Sequence, residues 1–266
     1  MNDPTLLLVL DAPMQAWGYL SLFDRRACLH YPTRSALVGM FCAAAGIDRT
    51  DNPGLRRWDA LKLEVQTYAK QRRRVTPQDL TQPARAGKPI RFRRWWDFHT
   101  IGGGYDEKTH RYCIPFSAEG KPRGVVITRR EYLADACFVV FVTVRPEANA
   151  SPQLLEELCH YLCNPRWGVW FGRKACVPAF PICHGVHPSR EEALKRLEEL
   201  ARLRPMDLTQ PLRIVSEVDQ FEEGTDTLLD MPVDFARRLF APRRVKEGVH
   251  EEPEPEAAPA DLPPED

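Results

Sequence analysis

Runs of apolar residues along the chain predict buried strands and the helices that pack against them. Residues 137–144 are apolar on both faces of a strand, which is typical of a central strand. An apolar stripe at helical spacing lies between Thr33, a candidate N-cap, and Gly46, a candidate C-terminal stop. We predict strands at 5–10, 62–69, 137–144 and 212–218, and helices that begin after Thr33, at Ser151 and after Ser189.

The order of the first elements is strand, helix, strand, insertion, strand, helix, which is a split βαβ arrangement. It predicts an α+β fold with a ferredoxin-like or RNA-recognition-motif (RRM)-type sheet over residues 1–180. A polar insertion at about 71–124 interrupts this domain, and a smaller C-terminal extension follows at 181–246. Residues 247–266 alternate acidic residues with proline and have little apolar surface to bury, so they are predicted to be a disordered tail.

The formal net charge of the 266 residues is zero, but the charges are strongly segregated along the chain. Residues 70–130 contain 15 Lys and Arg against 5 Asp and Glu, whereas residues 247–266 contain 8 acidic residues and no Lys or Arg. This distribution indicates a basic binding face for nucleic acid and an acidic tail. No apolar run approaches the roughly 18 to 20 residues that span a bilayer, and the N-terminus does not look like a signal peptide. We therefore expect a cytoplasmic protein with no membrane partner.

Tryptophans and glycines lie among the cations of the insertion. Trp95 and Trp96 follow a group of arginines, Gly102-Gly103-Gly104 comes next, and a second basic group returns after it. Two basic arms with glycines between them predict a protruding β-hairpin that contacts a nucleic-acid strand or a neighbouring protein. A solvated charge run would explain the cations but would leave exposed tryptophans unexplained.

Three short motifs outside the insertion are candidate RNA contacts. Gln15 and Trp17 directly follow the first predicted strand, where a base could stack on the indole; alternatively, Trp17 closes the end of the core. Arg34 stands at a helix N-terminus, a favourable place for a phosphate, although a simple N-cap beside an exposed arginine is equally consistent. Arg173 and Lys174 follow a glycine, which suits close approach to a phosphodiester, or merely a turn with solvated cations.

Metal and catalytic chemistry have weak support in the sequence. Eight cysteines in a chain of this composition favour reduced thiols in the core. The most metal-like group comprises Cys176, Cys183, His184 and His187, joined loosely by Cys159 and Cys163. Its spacing is looser than that of a structural zinc site, so we predict no metal and no cofactor.

One histidine is a candidate catalyst. His99, with Tyr105, Lys108 or His110, could activate a 2′-hydroxyl of RNA as a general base. No nucleophile elbow, metal-binding helix motif or paired carboxylates accompany it, so the sequence favours a protein that is not an enzyme.

Five motifs occur in an order that resembles a known family. They are PMQAWG at 13–18, YPTRS at 31–35, DFHT at 97–100, TRREYLADA at 128–136 and FGRKAC at 171–176. Together they resemble the CasD family, a subunit of the type I-E CRISPR surveillance complex Cascade within the repeat-associated (RAMP) superfamily. The resemblance extends over about residues 6–181.

The resemblance implies a non-catalytic RNA-binding subunit with a ferredoxin-like domain and a β-hairpin thumb. Such a subunit binds and caps the 5′ handle of CRISPR RNA (crRNA), and it contacts the repeated backbone subunit and the large subunit that reads the PAM. Its thumb lies near target DNA at the first guide–target base pairs. The implied handle-binding residues are Gln15, Trp17, Gly18, Arg34, Ser35, Gly172, Arg173 and Lys174. The implied thumb residues are Arg91, Arg93, Arg94, Trp95, His99, Gly102, Gly103, Lys108 and Arg111.

Two other functions remain open from the sequence. The first is a metal-independent endoribonuclease that processes CRISPR repeat RNA through His99. The second is a general single-strand-binding module with no preference for the handle sequence.

Overall fold

The computed structural model describes residues 3–19, 21, 24–72, 88–101, 104–106, 111–113, 126–148, 150–151, 153–204 and 206–250. Its helices are α1 (Arg34–Ala45), α2 (Asn52–Arg56), α3 (Gln153–Cys163) and α4 (Arg190–Leu203). Its strands are β1 (Thr5–Asp11), β2 (Met14–Gln15), β3 (Arg25–Arg26), β4 (Leu61–Tyr68), β5 (Lys70–Arg72), β6 (Lys88–Ile90), β7 (Arg93–Ile101), β8 (Gly104–Asp106), β9 (Arg111–Cys113), β10 (Val126–Ala134), β11 (Cys137–Val144), β12 (Cys183–His187), β13 (Arg213–Glu217), β14 (Asp226–Asp234) and β15 (Leu239–Val249).

The centre of the fold is an antiparallel sheet in the order β12-β1-β11-β4. Every residue of β1 is buried, as are the first six of β11, which explains why both segments are continuous apolar runs in the sequence. Helices α1 and α3 contact each other on one face of this sheet, where the larger hydrophobic cluster lies. The prediction of a ferredoxin-like α+β fold is confirmed.

The helix boundaries follow from local capping chemistry. Thr33 accepts a hydrogen bond from the Ala36 amide at 3.2 Å, and Gly46 ends α1 in the left-handed conformation. Ser189 caps α4 by accepting from the Glu192 amide at 3.4 Å. Both predicted caps are confirmed. Among the described helices, none has the length and hydropathy needed to cross a membrane.

Helix α4 covers the other face of the sheet. Leu197 and Leu200 pack there in a second hydrophobic cluster with Val139 and Phe141 of β11, and Tyr68 of β4 joins them. In RRM domains, bases stack on exposed aromatic residues of the sheet. Because α4 occupies that face here, RNA cannot bind in the usual RRM manner.

The residues after 180 continue the same sheet instead of forming a separate extension. Strand β12 supplies one edge of the ferredoxin-like sheet, so the boundary predicted at residue 180 falls before its last strand. Strand β13 pairs with β4, and β15 and β14 follow to give seven strands. Residues 247–249, predicted to begin the disordered tail, end β15. Residues 251–266 of that tail lie outside the described residues.

The predicted hairpin has a different strand pairing from the one expected. Its first arm, β7, pairs antiparallel with β10 over nine residues, from Arg93↔Ala134 to Ile101↔Val126. The second arm contributes to a separate short pair, in which β9, beginning at Arg111, pairs with β8. The sequence predicted that the two arms on either side of the glycines pair with each other. The observed partner of β7 is instead β10, about 30 residues further along the chain.

Candidate nucleic-acid interface

A cleft of about 600 Å³ opens beside α1. Its opposite wall is the 168–173 segment, and strands β3 and β10 contribute to it. None of the described residues that line the cleft is acidic. The lining residues are Ala16, Gly18, Ser21, Arg26, Thr33, Ser35, Ala36, Gly39, Met40, Ala43, Arg130, Gly168, Val169, Trp170, Gly172, Arg173, Phe235 and Phe240.

Half of the predicted handle-binding residues meet in this cleft. Gly18, Ser35, Gly172 and Arg173 all line it, although they come from three distant parts of the sequence. Lys174 is exposed next to them, with its ammonium group 5.7 Å from the centre of the Trp170 ring. Three of the predicted motifs therefore each contribute residues to the same surface.

Gln15 and Trp17 are placed in the core instead. Gln15 is fully buried, and its Nε2 donates to the carbonyl oxygens of Leu10 and Ala136, each at 2.9 Å. Its Oε1 accepts from Trp17 Nε1 at 3.0 Å. The Trp17 ring is also fully buried and packs on Phe171 at a centroid distance of 5.7 Å. The side-chain base contacts predicted for these two residues are therefore replaced by a structural role, because no ring face or polar atom reaches the surface.

Replacing Gln15 with leucine tests this structural role. The change removes three hydrogen bonds and leaves the Leu10 and Ala136 carbonyls and the Trp17 indole N–H without these partners. We expect the free energy of unfolding to fall by about 1–3 kcal/mol, measured by urea denaturation. Gln153→Leu, at the exposed start of α3, is the control and should change it little. A stable Gln15→Leu variant with weakened RNA binding would instead support the predicted base contact.

Arg34 is likewise buried, with 1% of its surface exposed. Its guanidinium donates to the carbonyls of Leu61 and Trp58, each at 3.0 Å, and pairs with Glu217 at 2.6 Å. In this position it cannot clamp a phosphate, which corrects the contact predicted for it.

The N-terminus of α1 already holds an anion from the protein itself. Asp230 Oδ2 accepts a hydrogen bond from the Arg34 amide at 2.8 Å. A carboxylate at this place is stabilised by the helix dipole, as a phosphate would be. Arg34 and Ser35 were both predicted to bind the handle. Of these two residues, Ser35 is the one that lines the cleft.

Arg34 belongs to a buried ion network that joins α1 to the C-terminal strands. Glu217 of β13 also pairs with Arg145 at 2.5 Å and with Arg243 of β15 at 3.2 Å. Arg243 in turn pairs with Asp230 of β14 at 2.7 Å. The network therefore fixes β13, β14 and β15 against the ferredoxin-like domain.

Gly172 positions the cleft wall. Its φ of +87° is in the region that favours glycine, and a Cβ atom there would lie on the carbonyl oxygen of Ala16. The Ala16 amide also donates to the carbonyl of Phe171 at 3.1 Å. This close approach holds the 168–173 segment against the loop after β1.

Among the described residues, the side-chain partners of Arg173 are neutral. Its guanidinium donates to the backbone carbonyls of Glu131 at 2.7 Å and Arg26 at 3.2 Å. It also lies 4.4 Å from the centre of the Tyr132 ring. These contacts fix the guanidinium at the cleft, which favours binding of an anion.

Two further arginines at the cleft were missed by the sequence analysis. Arg26 of β3 is paired directly with Arg130 of β10 in a parallel ladder. Their approach was invisible in the sequence because β3 has only two residues and no apolar pattern. Like charges at paired positions of a sheet repel each other, so an anionic ligand between them would relieve that repulsion.

An aromatic surface adjoins these cations. Trp170 lines the cleft and is 36% exposed, and Trp167 near it is 44% exposed. A flat ring next to cations can stack on an unpaired base. Trp170 is therefore a better candidate for base stacking than Trp17.

The predicted thumb residues divide into those whose side chains contact β10 and those that are exposed. Trp95 stacks on Tyr132 at 5.3 Å, and Arg94 pairs with the buried carboxylate of Glu131 at 2.5 Å, so both fix β7 to β10. Arg91 and Arg93 are exposed. Gly102, Gly103 and Lys108 lie outside the described residues, and Arg111 is described only as the backbone of β9.

His99 lies on an exposed part of β7. Its Nδ1 is 3.9 Å from Asp97 Oδ2, too far for a hydrogen bond. Phe98 beside it is 56% exposed, with the Arg129 guanidinium 5.3 Å from the centre of its ring. The proposed catalytic partners Lys108 and His110 lie outside the described residues, as does the side chain of Tyr105.

The predicted metal-like group is divided by the fold. Cys159, Cys163 and Cys183 bring their sulfur atoms within 4.8 Å of one another. His184 instead stacks on Phe180 at 5.0 Å, on the side of the sheet that α4 covers. Burial raises the pKa of Cys28 to about 12, which is typical of an unreactive core thiol.

The fold and the cleft define a ferredoxin-like protein with a basic, partly aromatic groove outside the sheet face. The model of the family described as CRISPR-associated protein (Cas_Cas5) matches residues 5–246, and the chain belongs to this Cas5 family. A relative in Escherichia coli (strain K12), the CRISPR system Cascade subunit CasD, is 28% identical over 239 residues, which cover 88% of this chain and 92% of that protein.

Two solved structures are similar over almost the whole chain. A chain of a CRISPR RNA-guided surveillance complex has a TM-score of 0.62 and 28% identity, and the match covers 94% of this chain and 91% of that one. The crystal structure of a Cas protein has a TM-score of 0.55 and 27% identity, and the match covers 93% and 95% of the two chains.

Proposed function

We propose that this protein is a non-catalytic subunit of a CRISPR surveillance complex and that its cleft holds the 5′ handle of crRNA. Membership of the Cas5 family and similarity to a Cascade subunit support a place in such a complex. The cleft supports the RNA contact.

The observation that carries the proposal is the grouping of Arg26, Arg130 and Arg173 at a cleft with no acidic residue among the described ones that line it. Arg173 is held by backbone carbonyls, and Arg26 lies opposite Arg130 in the ladder, so three cations are grouped at a cleft whose described lining residues include no carboxylate. Such an arrangement is stable when an anion lies among the cations. A phosphodiester backbone supplies that anion repeatedly along its length.

The shape of the protein supports a single strand over a duplex. A groove lined by cations with Trp170 beside them matches the pattern in which a backbone is tracked and bases stack on rings. The sheet face is covered by α4, so the strand is expected to lie along the cleft instead.

Replacing Arg130 with alanine should weaken binding of handle RNA and reduce its salt dependence. One lost phosphate contact lowers the log–log salt slope by about 0.7 for a single strand. The measurement is the dissociation constant of a fluorescent 5′-handle RNA at several salt concentrations. Arg196→Ala removes the same charge from exposed α4, on the other face of the sheet, and is the matched control.

Two results would contradict the proposal. Equal salt slopes for Arg130→Ala, Arg173→Ala and Arg196→Ala would exclude phosphate contacts in the cleft. Equal affinity for the handle and for a scrambled RNA of the same length would favour a general single-strand-binding module.

The strand pair β7–β10 is the longest part of the proposed thumb that the structure describes. Exposed Phe98 and Ile127 lie on it beside Arg129, so apolar and cationic groups are available together for target DNA or for neighbouring subunits. We propose contacts there with the backbone subunit and the large PAM-reading subunit. The test is reconstitution of the complex from its subunits with the Phe98→Ala variant. Phe221→Ala, at another exposed aromatic residue, is the control, and weaker assembly with Phe98→Ala alone would show that this surface is used.

The endoribonuclease alternative has its own test. Incubation of the purified protein with repeat RNA in the absence of metal should give no specific cleavage. Cleavage that is lost in His99→Ala would overturn the non-catalytic role.

A further inference from the structure

Three cysteine thiols meet at one edge of the sheet, away from the proposed RNA cleft. Cys159 and Cys163 are one helical turn apart on α3, so they project from the same face of the helix. Cys183 begins β12, the edge strand against which α3 packs. All three sulfur atoms lie within 4.8 Å of one another.

The spacing is close to that of a metal-bound thiolate cluster. Zinc–sulfur bonds of about 2.3 Å in tetrahedral geometry place neighbouring sulfurs about 3.8 Å apart. Rotation of the side chains by small angles would bring the thiols to this distance. Since Cys163 is exposed while Cys159 and Cys183 are half-buried, the fourth position would face solvent and could hold a water molecule.

Cys159 and Cys183 also pack against the larger hydrophobic cluster, whereas Cys163 is exposed. None of the three forms a disulfide. A metal ion is bound by thiolates and not by thiols, so its affinity would rise with pH.

We propose that Cys159, Cys163 and Cys183 form a three-thiolate site for a thiophilic divalent cation, with Zn²⁺ as the cellular occupant. The site does not depend on the RNA-binding proposal. It replaces the sequence-based expectation of no metal, which was made from spacing along the chain; the helix brings two of these thiols together and the sheet brings the third.

The metal ion would strengthen the attachment of the edge strand β12 to the rest of the fold. In the ladder that fixes it to the sheet, β12 pairs with β1 at three positions, with an irregularity between Leu6 and Leu8. Cys163 is the last residue of α3, and the chain continues directly into the segment that lines the cleft. A bound cation would stabilise the folded state in proportion to its affinity and concentration.

Cobalt titration of the reduced, metal-free full chain tests the proposal. We expect saturation at one Co²⁺ per chain, with the near-ultraviolet charge-transfer absorption of sulfur–cobalt bonds, and displacement of the Co²⁺ by Zn²⁺. Cys163→Ala, at an exposed position that the fold tolerates, should weaken Co²⁺ binding by more than about tenfold. Cys176→Ala is the matched control because Cys176 lies outside the cluster, and it should bind like the original chain.

The same samples give a second readout in thermal unfolding. Zn²⁺ should raise the unfolding temperature of the original chain and of Cys176→Ala, but raise it less in Cys163→Ala. Absence of the sulfur–cobalt absorption, or equal absorption in Cys163→Ala, would overturn the proposal. Oxidation of two of the three thiols to a disulfide, with no Co²⁺ binding after reduction, would overturn it in favour of a redox-active pair.

Discussion

Gly172→Ala is expected to lower the free energy of unfolding by about 3 kcal/mol or more, because it combines backbone strain with a steric clash. An alanine at φ +87° is strained, and its Cβ would overlap the carbonyl oxygen of Ala16. That oxygen belongs to the backbone, so a side-chain rotation cannot relieve the clash. The 168–173 segment must move away, which displaces Arg173 and Trp170 from the cleft.

The change should also weaken binding of handle RNA by more than about tenfold, or about 1.4 kcal/mol. Urea denaturation and RNA titration measure the two effects on the same protein. Gly18→Ala is the matched control for stability: Gly18 lines the same cleft, but the nearest atom to its added Cβ is 4.0 Å away. A Gly172→Ala variant with unchanged stability and affinity would show that this segment does not depend on the close approach.

Arg34→Met should lower the free energy of unfolding by about 3–5 kcal/mol, the usual effect of removing one partner from a buried ion pair. The guanidinium supports the carbonyls of Leu61 and Trp58 and pairs with Glu217, and methionine can replace none of these contacts. Part of the Glu217 charge remains compensated by Arg145 and Arg243, which should prevent complete loss of the fold.

The control for Arg34 is Arg196→Met, which removes an exposed ion pair on α4 and should cost less than about 1 kcal/mol. RNA binding separates the structural role of Arg34 from the phosphate contact predicted by the sequence. In conditions where Arg34→Met is folded, its salt slope should match that of the original chain. A salt slope lowered by about 0.7 in Arg34→Met would instead support a direct contact between Arg34 and a phosphate of the RNA.

Local patterns predicted the elements whose chemistry is local. The caps at Thr33 and Ser189 were correct because each bonds within its own helical turn. Strand β11 was correct because burial on both faces leaves a continuous apolar run. The short strand β3 and the edge strand β12 carry no such pattern and were missed, since their pairing depends on distant partners.

The chemical type of a single residue predicted its place in the site less well than the order of the motifs along the chain did. Gln15, Trp17 and Arg34 have the chemistry that RNA recognition requires, yet the same hydrogen-bonding groups satisfy buried partners. Arg26 and Arg130 appeared unremarkable in the sequence and are brought together by a two-residue parallel ladder.

The sequence by itself determined the ferredoxin-like core, its main helices and the glycine-arginine segment that enters the cleft, because apolar periodicity, capping and turn chemistry act over a few residues. Only the tertiary structure decided which polar side chains face outward. Burial depends on what packs against a residue, and at Arg34 those neighbours include Glu217 and Asp230, which are distant along the chain. The same dependence on distant partners formed the arginine cleft and the three-thiol cluster, neither of which is a motif along the chain.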